Sequence, residues 1–567
     1  MPKPPKNAPT NPLWDSDVNL LIWLATCVSV FSFLFFYRRG EVLLYGDAIA
    51  HINIARRVFD SKTPGLLQLG TVWLPLPHLL MIPFLISKNM WQTGVGGSIP
   101  SMAAYVFGVI GIFRLTRSVF SGSADADRPA RIAAWTATFI YAANPNLIYM
   151  QSTAMGEAVY LAFFIWALVY FAESVHGNTS ALTKCGLCLA AAGLTRYDGW
   201  FLAAAMVGVL VLARVIAERT GVPDARAALQ GRVSAFKSIR ALAPAAMLKF
   251  IFIAAAAPAL WLAYNGIVYR NPLEFENGPY SAKAIERKTQ STGNPSHPGG
   301  NNPVIAGMYF LKSAEGNLAD NRWLQRAWLT LALAAVLALI LRHGPIPLSR
   351  AWPLLFLLVP VPFYALSIAY GGIPIFIPYW WPFSHYNVRY GLHLLPTFAV
   401  AFAFLVWIIL RSNSWTARLR LGCAVAVVAV VIASYTNVWR ATPLCLKEAQ
   451  VNMRTRNQLQ AELAYLLNEL PPHSTLLMYL GDQVGALERA GIPLKRTINE
   501  GNHRVWKQPS DPQGLWERAL ANPSQYADYV LAFEGDPVWQ AVHDQHLREL
   551  IEIHVTGQAP AILYRAR

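Results

Sequence analysis

Charge is scarce in this chain of 567 residues: Asp, Glu, Lys and Arg make up 14% of it, where a soluble domain carries about a quarter. So few charged groups cannot cover the surfaces of several soluble domains, and an array of such domains is excluded. Cysteine is scarce too. Of the five residues Cys27, Cys185, Cys188, Cys423 and Cys445, Cys185 and Cys188 form a C-x-x-C inside an apolar run, where they read as small buried side chains. Cys445 has no evident partner, so no disulfide framework organises the fold. Low-complexity arrays and inverted half-repeats are not visible either. What is abundant is apolar: 54% of the residues are hydrophobic, which excludes intrinsic disorder. The formal charge is nevertheless +16. A nucleic-acid binder would explain the charge but not the missing polar surface. A membrane protein explains both, provided the positive charge lies on one side.

A helical span needs about 20 mostly apolar residues. Eleven segments qualify or nearly so: 18–37, 98–113, 132–148, 157–174, 183–197, 199–214, 244–268, 323–341, 351–370, 390–410 and 419–438. Eleven spans put the termini on opposite sides. The five loops that share a side with the N-terminus, 114–131, 175–184, 214–240, 342–350 and 411–420, hold 16 Lys/Arg and 4 Asp/Glu. That net +12 is most of the whole excess and predicts a cytoplasmic N-terminus; Arg38 and Arg39 point the other way and are outvoted. No small-residue cleavage site follows the first span, which reads as an uncleaved anchor. The expected place is the inner membrane, multi-pass, with the long loops 38–97 and 269–322 outside.

Beyond about residue 440 the character changes. Basic and acidic residues nearly balance, Ser474–Leu480 and Asp528–Phe533 read as buried strands, and 446–470 reads as a helix ended by Pro471-Pro472. The predicted architecture is an all-α membrane bundle, residues 1–440, with a small extracytoplasmic α/β domain at 441–567.

The unusual polar residues collect on the outer side. Asp47 and His51 are four apart, so one helix face carries both, and Arg56 and Arg57 follow; an Asp47 N-cap is the plainer reading of Gly46-Asp47. Residues 71–87, rich in proline, read as an interfacial or re-entrant helix. Glu157 is the only charge between Arg131 and Glu173, and a lone carboxylate at a span's start is costly unless paired. Arg196 and Asp198 end the fifth span. Gly and Pro at 293–303 predict a loop of little regular structure, placed to act as a lid. Arg389 enters a span from outside among aromatics, at the level of lipid headgroups, where a guanidinium suits a phosphate.

These residues, in this order and on this side, resemble the GT-C superfamily of integral-membrane glycosyltransferases, which includes protein O-mannosyltransferases and aminoarabinose transferases. Gly46-Asp47-x-x-x-His51-x-x-x-Ala55-Arg56 matches an acidic residue on a juxtamembrane helix in the first outer loop. Glu157 matches a second acidic position, Arg389-Tyr390 with Pro396 an Arg-Tyr near a proline, and Asn271-Pro272-Leu273-Glu274-Phe275 and Thr195-Arg196-Tyr197-Asp198-Gly199 elements of bacterial relatives. Ala48 after Asp47 departs from the Asp-Glu of many protein O-mannosyltransferases, and Pro382 after Trp380-Trp381 from the Trp-Trp-Asp of oligosaccharyltransferases.

The resemblance implies transfer of a sugar, mannose first among candidates, from a polyprenyl-phosphate donor to a glycan, lipid or protein acceptor outside. Asp47 is then the general base, Glu157 its acidic companion, and His51, Arg56, Arg57, Arg196, Arg389, Tyr390 and Glu274 the substrate and lipid-phosphate contacts. Metal use is left open; Asp47, Glu157 and His51 are the ligands a divalent ion would take. A transporter or lipid-linked-sugar flippase is the competing reading, which calls for midplane charges and paired broken helices.

Overall fold

The computed structural model describes residues 16–121, 127–175, 178–219, 243–291, 295–341, 351–502 and 514–567. Of the five basic loops, 342–350, most of 214–240 and parts of 114–131 and 175–184 lie outside the described residues. In chain order the principal helices are α1 (Ser16–Arg38), α2 (Gly46–Arg57), α3 (Leu76–Leu85), α4 (Val95–Phe120), α5 (Arg128–Ala142), α6 (Pro145–Gln151), α7 (Glu157–Val175), α8 (Thr179–Gly193) and α9 (Asp198–Arg219). They continue with α10 (Pro244–Val268), α11 (Ala282–Ser291), α12 (Pro303–Leu318), α13 (Arg322–Leu341), α14 (Pro360–Tyr370), α15 (Leu395–Arg411), α16 (Ala417–Ala441) and α17 (Leu444–Asn468).

Among the described residues nine helical segments are long and apolar enough to cross a membrane, and the protein is a multi-pass membrane bundle. The other two spans expected from the sequence are shorter helices. The stretch read as 132–148 is broken in two: Asn144 caps a new helix from its side chain and Pro145 opens it, leaving α5 with 15 residues. The stretch read as 183–197 is α8, also 15 residues. At 1.5 Å per residue each reaches about 22 Å, short of the hydrocarbon thickness of about 30 Å. Both pack against long neighbours, α5 on α4 and α15, α8 on α7 and α10.

The centre of the bundle is α7, in which every residue except Phe163, Tyr170 and Glu173 is buried. A helix apolar all round is stable only when enclosed by protein or lipid. α1 is the lipid-facing counterpart, with Trp23 and Phe31 exposed. Two spans begin with a tight 3-10 turn, Trp352–Leu358 before α14 and Val388–Leu394 before α15.

Loop 38–97 holds α2 and α3, the latter only 10 residues and too short to span. Loop 269–322 is more ordered than its composition suggests. Asn302 caps α12 and Pro303 opens it, and α12 packs against α14 and the 388–394 turn; α11 lies ahead of it. Residues 292–294 of the stretch expected to be irregular lie outside the described residues.

After α16 the chain breaks at Thr442-Pro443 and continues as α17 into a five-stranded sheet of order β2-β1-β3-β5-β4. β1 (Leu476–Met478) pairs in parallel with β2 (Thr497–Ile498) and β3 (Tyr529–Phe533); β5 (Ala561–Arg565) runs antiparallel to β3 and to β4 (Arg548–Ile553). The two strands expected from the sequence are β1 and β3. This sheet domain rests on the first loop: Asn53 of α2 donates to the buried Glu488 at 2.5 Å, and Lys495 N–H donates to Asp60 at 3.2 Å.

Candidate active site

α2 begins at Gly46, with Tyr45 as its N-cap and no side-chain cap bond. Asp47 therefore does not cap the helix, as the plainer sequence reading had it; it stands in the first turn and points to Arg389. Asp47 and His51 share the expected face, and both line a cavity of about 740 Å³, within the range typical of small-molecule sites. Its other walls come from Glu157 at the start of α7, the Thr195–Asp198 link, Arg389 and Tyr390 of the 388–394 turn, and Tyr280, Glu286 and His297 of the outer loop.

Arg389 is the hub. Its Nη2 donates to Asp47 Oδ2 at 2.6 Å, its Nε to Glu157 Oε1 at 3.0 Å, and its Nη1 to Glu448 Oε1 at 3.1 Å. The guanidinium carbon lies 5.2 Å from the ring centre of Tyr45 and 5.1 Å from that of Tyr390, within cation–π range. Arg196 shares Glu157 Oε1 at 3.2 Å, reaches Asp198 at 3.5 Å and stands over the Tyr390 ring at 4.7 Å. Behind it the Tyr364 hydroxyl donates to Asp198 at 3.2 Å, and His393 Nδ1 is 2.8 Å from the same carboxylate. Such a network is tolerable in a low-dielectric interior only because each charge has a partner.

The members differ in access. The Asp47 side chain is 38% exposed and that of Glu157 1%. Glu157 Oε2 is buried and has no hydrogen-bond partner among the described residues. His51 is buried, its Nδ1 2.8 Å from His78 Nε2 and its ring beside Trp73. Burial holds both imidazoles below their ordinary value, so they form a neutral pair in which one donates to the other.

Three residues nominated from the sequence are not on the cavity wall. The Arg56 Nε donates to Asp60 at 2.8 Å and its Nη1 to the carbonyls of Leu85 and Ile86, with the rings of Phe59 and Trp91 beside it. It is a brace between α2 and α3, because α2 turns that side toward the α3 end. Arg57 is 3.9 Å from Glu500 of the sheet domain. Glu274 accepts from the Asn271 amide at 3.0 Å and closes a local turn; its neighbour Phe275 stacks on Tyr197 at 5.1 Å and ties the outer loop to the cavity.

Asp47, Glu157 and His51 do not converge as ligands. The Arg389 guanidinium lies between the two carboxylates, and His51 is turned to His78. Among the described residues no group of three or more His, Cys, Asp or Glu is placed to share a metal ion.

The sequence reading missed Glu448, Tyr45, Tyr364 and His393. Tyr364 and His393 sit in apolar stretches whose pattern is that of any span. Glu448 lies in a charge-balanced helix where one glutamate looks like the next.

No family model matches the chain, and no curated protein matches its sequence. Solved structures do match. ArnT from Cupriavidus metallidurans, crystallised bound to undecaprenyl phosphate, is 12% identical with a TM-score of 0.56, covering 97% of this chain and 98% of ArnT. The same protein in the apo state gives 12% and 0.54 over 97% and 99%. An oligosaccharyltransferase from Archaeoglobus fulgidus in the apo form is 13% identical with a TM-score of 0.48, over 92% of this chain and 70% of that one. The ArnT likeness runs through both the bundle and the sheet domain, and this chain has the ArnT fold, a helical membrane bundle followed by a small α/β domain.

Proposed function

We propose that the protein is a GT-C-type glycosyltransferase that moves a sugar from a polyprenyl-phosphate donor to an acceptor on the extracytoplasmic face, with inversion. The N-terminus would then be cytoplasmic, with the cavity and the domain at 441–567 outside. The observation that carries the reading is the cavity in which Asp47, Glu157, Arg196 and Arg389 meet. An acceptor hydroxyl is a poor nucleophile and needs a base within hydrogen-bond reach. Of the carboxylates on Arg389, Asp47 alone is substantially open, so it takes that role. The leaving phosphate develops charge, which guanidinium donors fixed in a dry site stabilise; Arg389 and Arg196 are the two that face the cavity. Glu157 holds both arginines through one oxygen and so fixes the two guanidiniums at the cavity. The fold, shared with a protein crystallised on undecaprenyl phosphate, supports a lipid-linked donor. Mannosyl and aminoarabinosyl donors are the first to test.

The test is transfer from labelled polyprenyl-phosphate sugars in membranes holding wild type or Asp47→Asn. Transfer by the wild type and a loss of about 1000-fold in the variant are expected, within the range of a positioned base. Full transfer by Asp47→Asn removes the base assignment. Solute or lipid movement without transfer replaces the reading by a transporter.

A further inference from the structure

Glu448 belongs to the part of the chain that reads as the C-terminal domain, yet its carboxylate lies inside the site. It stands in the second turn of α17 with its side chain 2% exposed. Oε1 accepts the Asn387 N–H at 2.9 Å and Arg389 Nη1 at 3.1 Å; Oε2 accepts the Val388 N–H at 2.9 Å. The donors come from three consecutive residues. Asn387 has φ +56°, in the left-handed region that a side chain occupies at a cost. It precedes the 3-10 turn Val388–Leu394, whose first N–H groups have no partner within the turn. Glu448 supplies that partner from another element.

The same stretch of α17 holds the start of α2. The Tyr45 hydroxyl donates to the Cys445 carbonyl at 2.9 Å, and the Cys445 N–H donates to Asn146 at 2.8 Å. Tyr45 caps α2 two residues before Asp47, and its ring lies against Arg389. The start of α17 thus sets where α2 begins, where the Arg389 span enters, and the third edge of the guanidinium. Asp47 and Glu157 alone would leave Nη1 unheld. A planar fork gripped on three edges has one orientation.

We propose that Glu448 is a positioning residue: it holds Arg389 with Nη2 turned toward Asp47 and the cavity, which makes the helix leading into the C-terminal domain part of the active site. The proposal rests on the functional reading of Asp47 and Arg389 given above. The test uses the full-length protein in membranes. Glu448→Gln keeps the shape but turns an amide toward the donors, and turnover should fall about 10-fold or more; Glu448→Asp should recover part of it. Two changes that disturb one group do not multiply, so Glu448→Gln with Arg389→Lys should transfer within about twofold of Arg389→Lys alone. A multiplicative loss overturns the proposal and leaves Glu448 a cap only. If Glu448→Gln does not accumulate, the same cycle is run with Glu448→Asp. A structure of the variant decides the geometry without activity: Arg389 should leave Asp47, and an unchanged contact overturns the proposal. A wild type that transfers no sugar defeats the functional reading, and that structure still decides the positioning role.

Discussion

The two ends of the bundle use charge differently. At the end away from the cavity, Asp17 of α1 takes Arg131 at 2.6 Å and Arg117 at 3.7 Å, and the Arg131 side chain is 58% exposed. Arg114 and Glu173 pair nearby at 3.1 Å. Asp17 itself is 4% exposed, but the arginines on it reach water, and these are ties between neighbouring helices, partly screened by solvent and salt. At the cavity end the Arg389 side chain is 6% exposed, and around it and Arg196 stand Asp47, Glu157, Asp198 and Glu448. Four carboxylates on two guanidiniums leave an excess of negative charge in a dry place. Stability alone does not call for that, because well-packed apolar residues of the same volume do as well or better. The contrast separates charge that fastens helices from charge gathered at the cavity, where the proposed reaction would use it.

Substitutions at the two ends should therefore differ in what they affect. The largest effect is expected at Asp47, where Asp47→Asn removes the proposed base and leaves the fold. Arg389→Lys keeps the charge but loses the planar fork that spans three carboxylates, and transfer should fall about 100-fold, in the range of a lost oxyanion-type donor; kinetics with varied donor show whether kcat carries the loss. Glu157→Gln leaves two buried guanidiniums short of a partner. Breaking a buried pair costs about 3–5 kcal/mol, and here both thermal stability in detergent and transfer should drop. If only transfer drops, Glu157 acts on substrate rather than on the arginines.

The His51–His78 pair has a smaller, pH-dependent effect. Burial depresses both imidazoles below the ordinary 6.5. The unfolded chain therefore takes up protons first as pH falls. The pair's contribution to stability is complete above about 6.5 and is lost as pH drops through the depressed folded values. Unfolding midpoints measured between about pH 8 and pH 5 should fall, and the His51→Gln/His78→Gln double variant should flatten that slope. The smallest effect on transfer belongs to the far end: Arg131→Ala takes one of two guanidiniums from the buried Asp17, and should lower stability by about 1–3 kcal/mol while leaving transfer unchanged. A large loss of transfer there would break the contrast between the two ends.

Much of this was legible in the order of residues. Apolar runs of span length mark the nine long helical segments, and proline with an asparagine cap explains why the 132–148 run is two helices. Asp47 and His51 fall on one face because they are four apart on a helix. Arg389 was conspicuous because a charge at a span's entrance is expensive. The residues that fall off the cavity share a cause. Arg56 and Arg57 follow Asp47 closely and looked like its companions, but side chains at successive positions on a helix point about 100° apart. α2 turns Arg56 toward α3 and Arg57 toward the sheet domain. Glu274 was carried by the motif around it and lies off the cavity, where only its neighbour Phe275 connects.

Composition, hydrophobic run length and charge spacing by themselves determined that this is a polytopic membrane bundle with a different, mixed domain at its end, because burial in lipid demands long apolar helices wherever they fold. Only the tertiary structure decided which charges meet. Asp47, Glu157 and Glu448 stand 110, 291 and 401 residues from one another, far beyond what any helical period can register, and a contact of that kind is set by packing of several elements at once. It is packing that places one guanidinium, Arg389, within reach of all three.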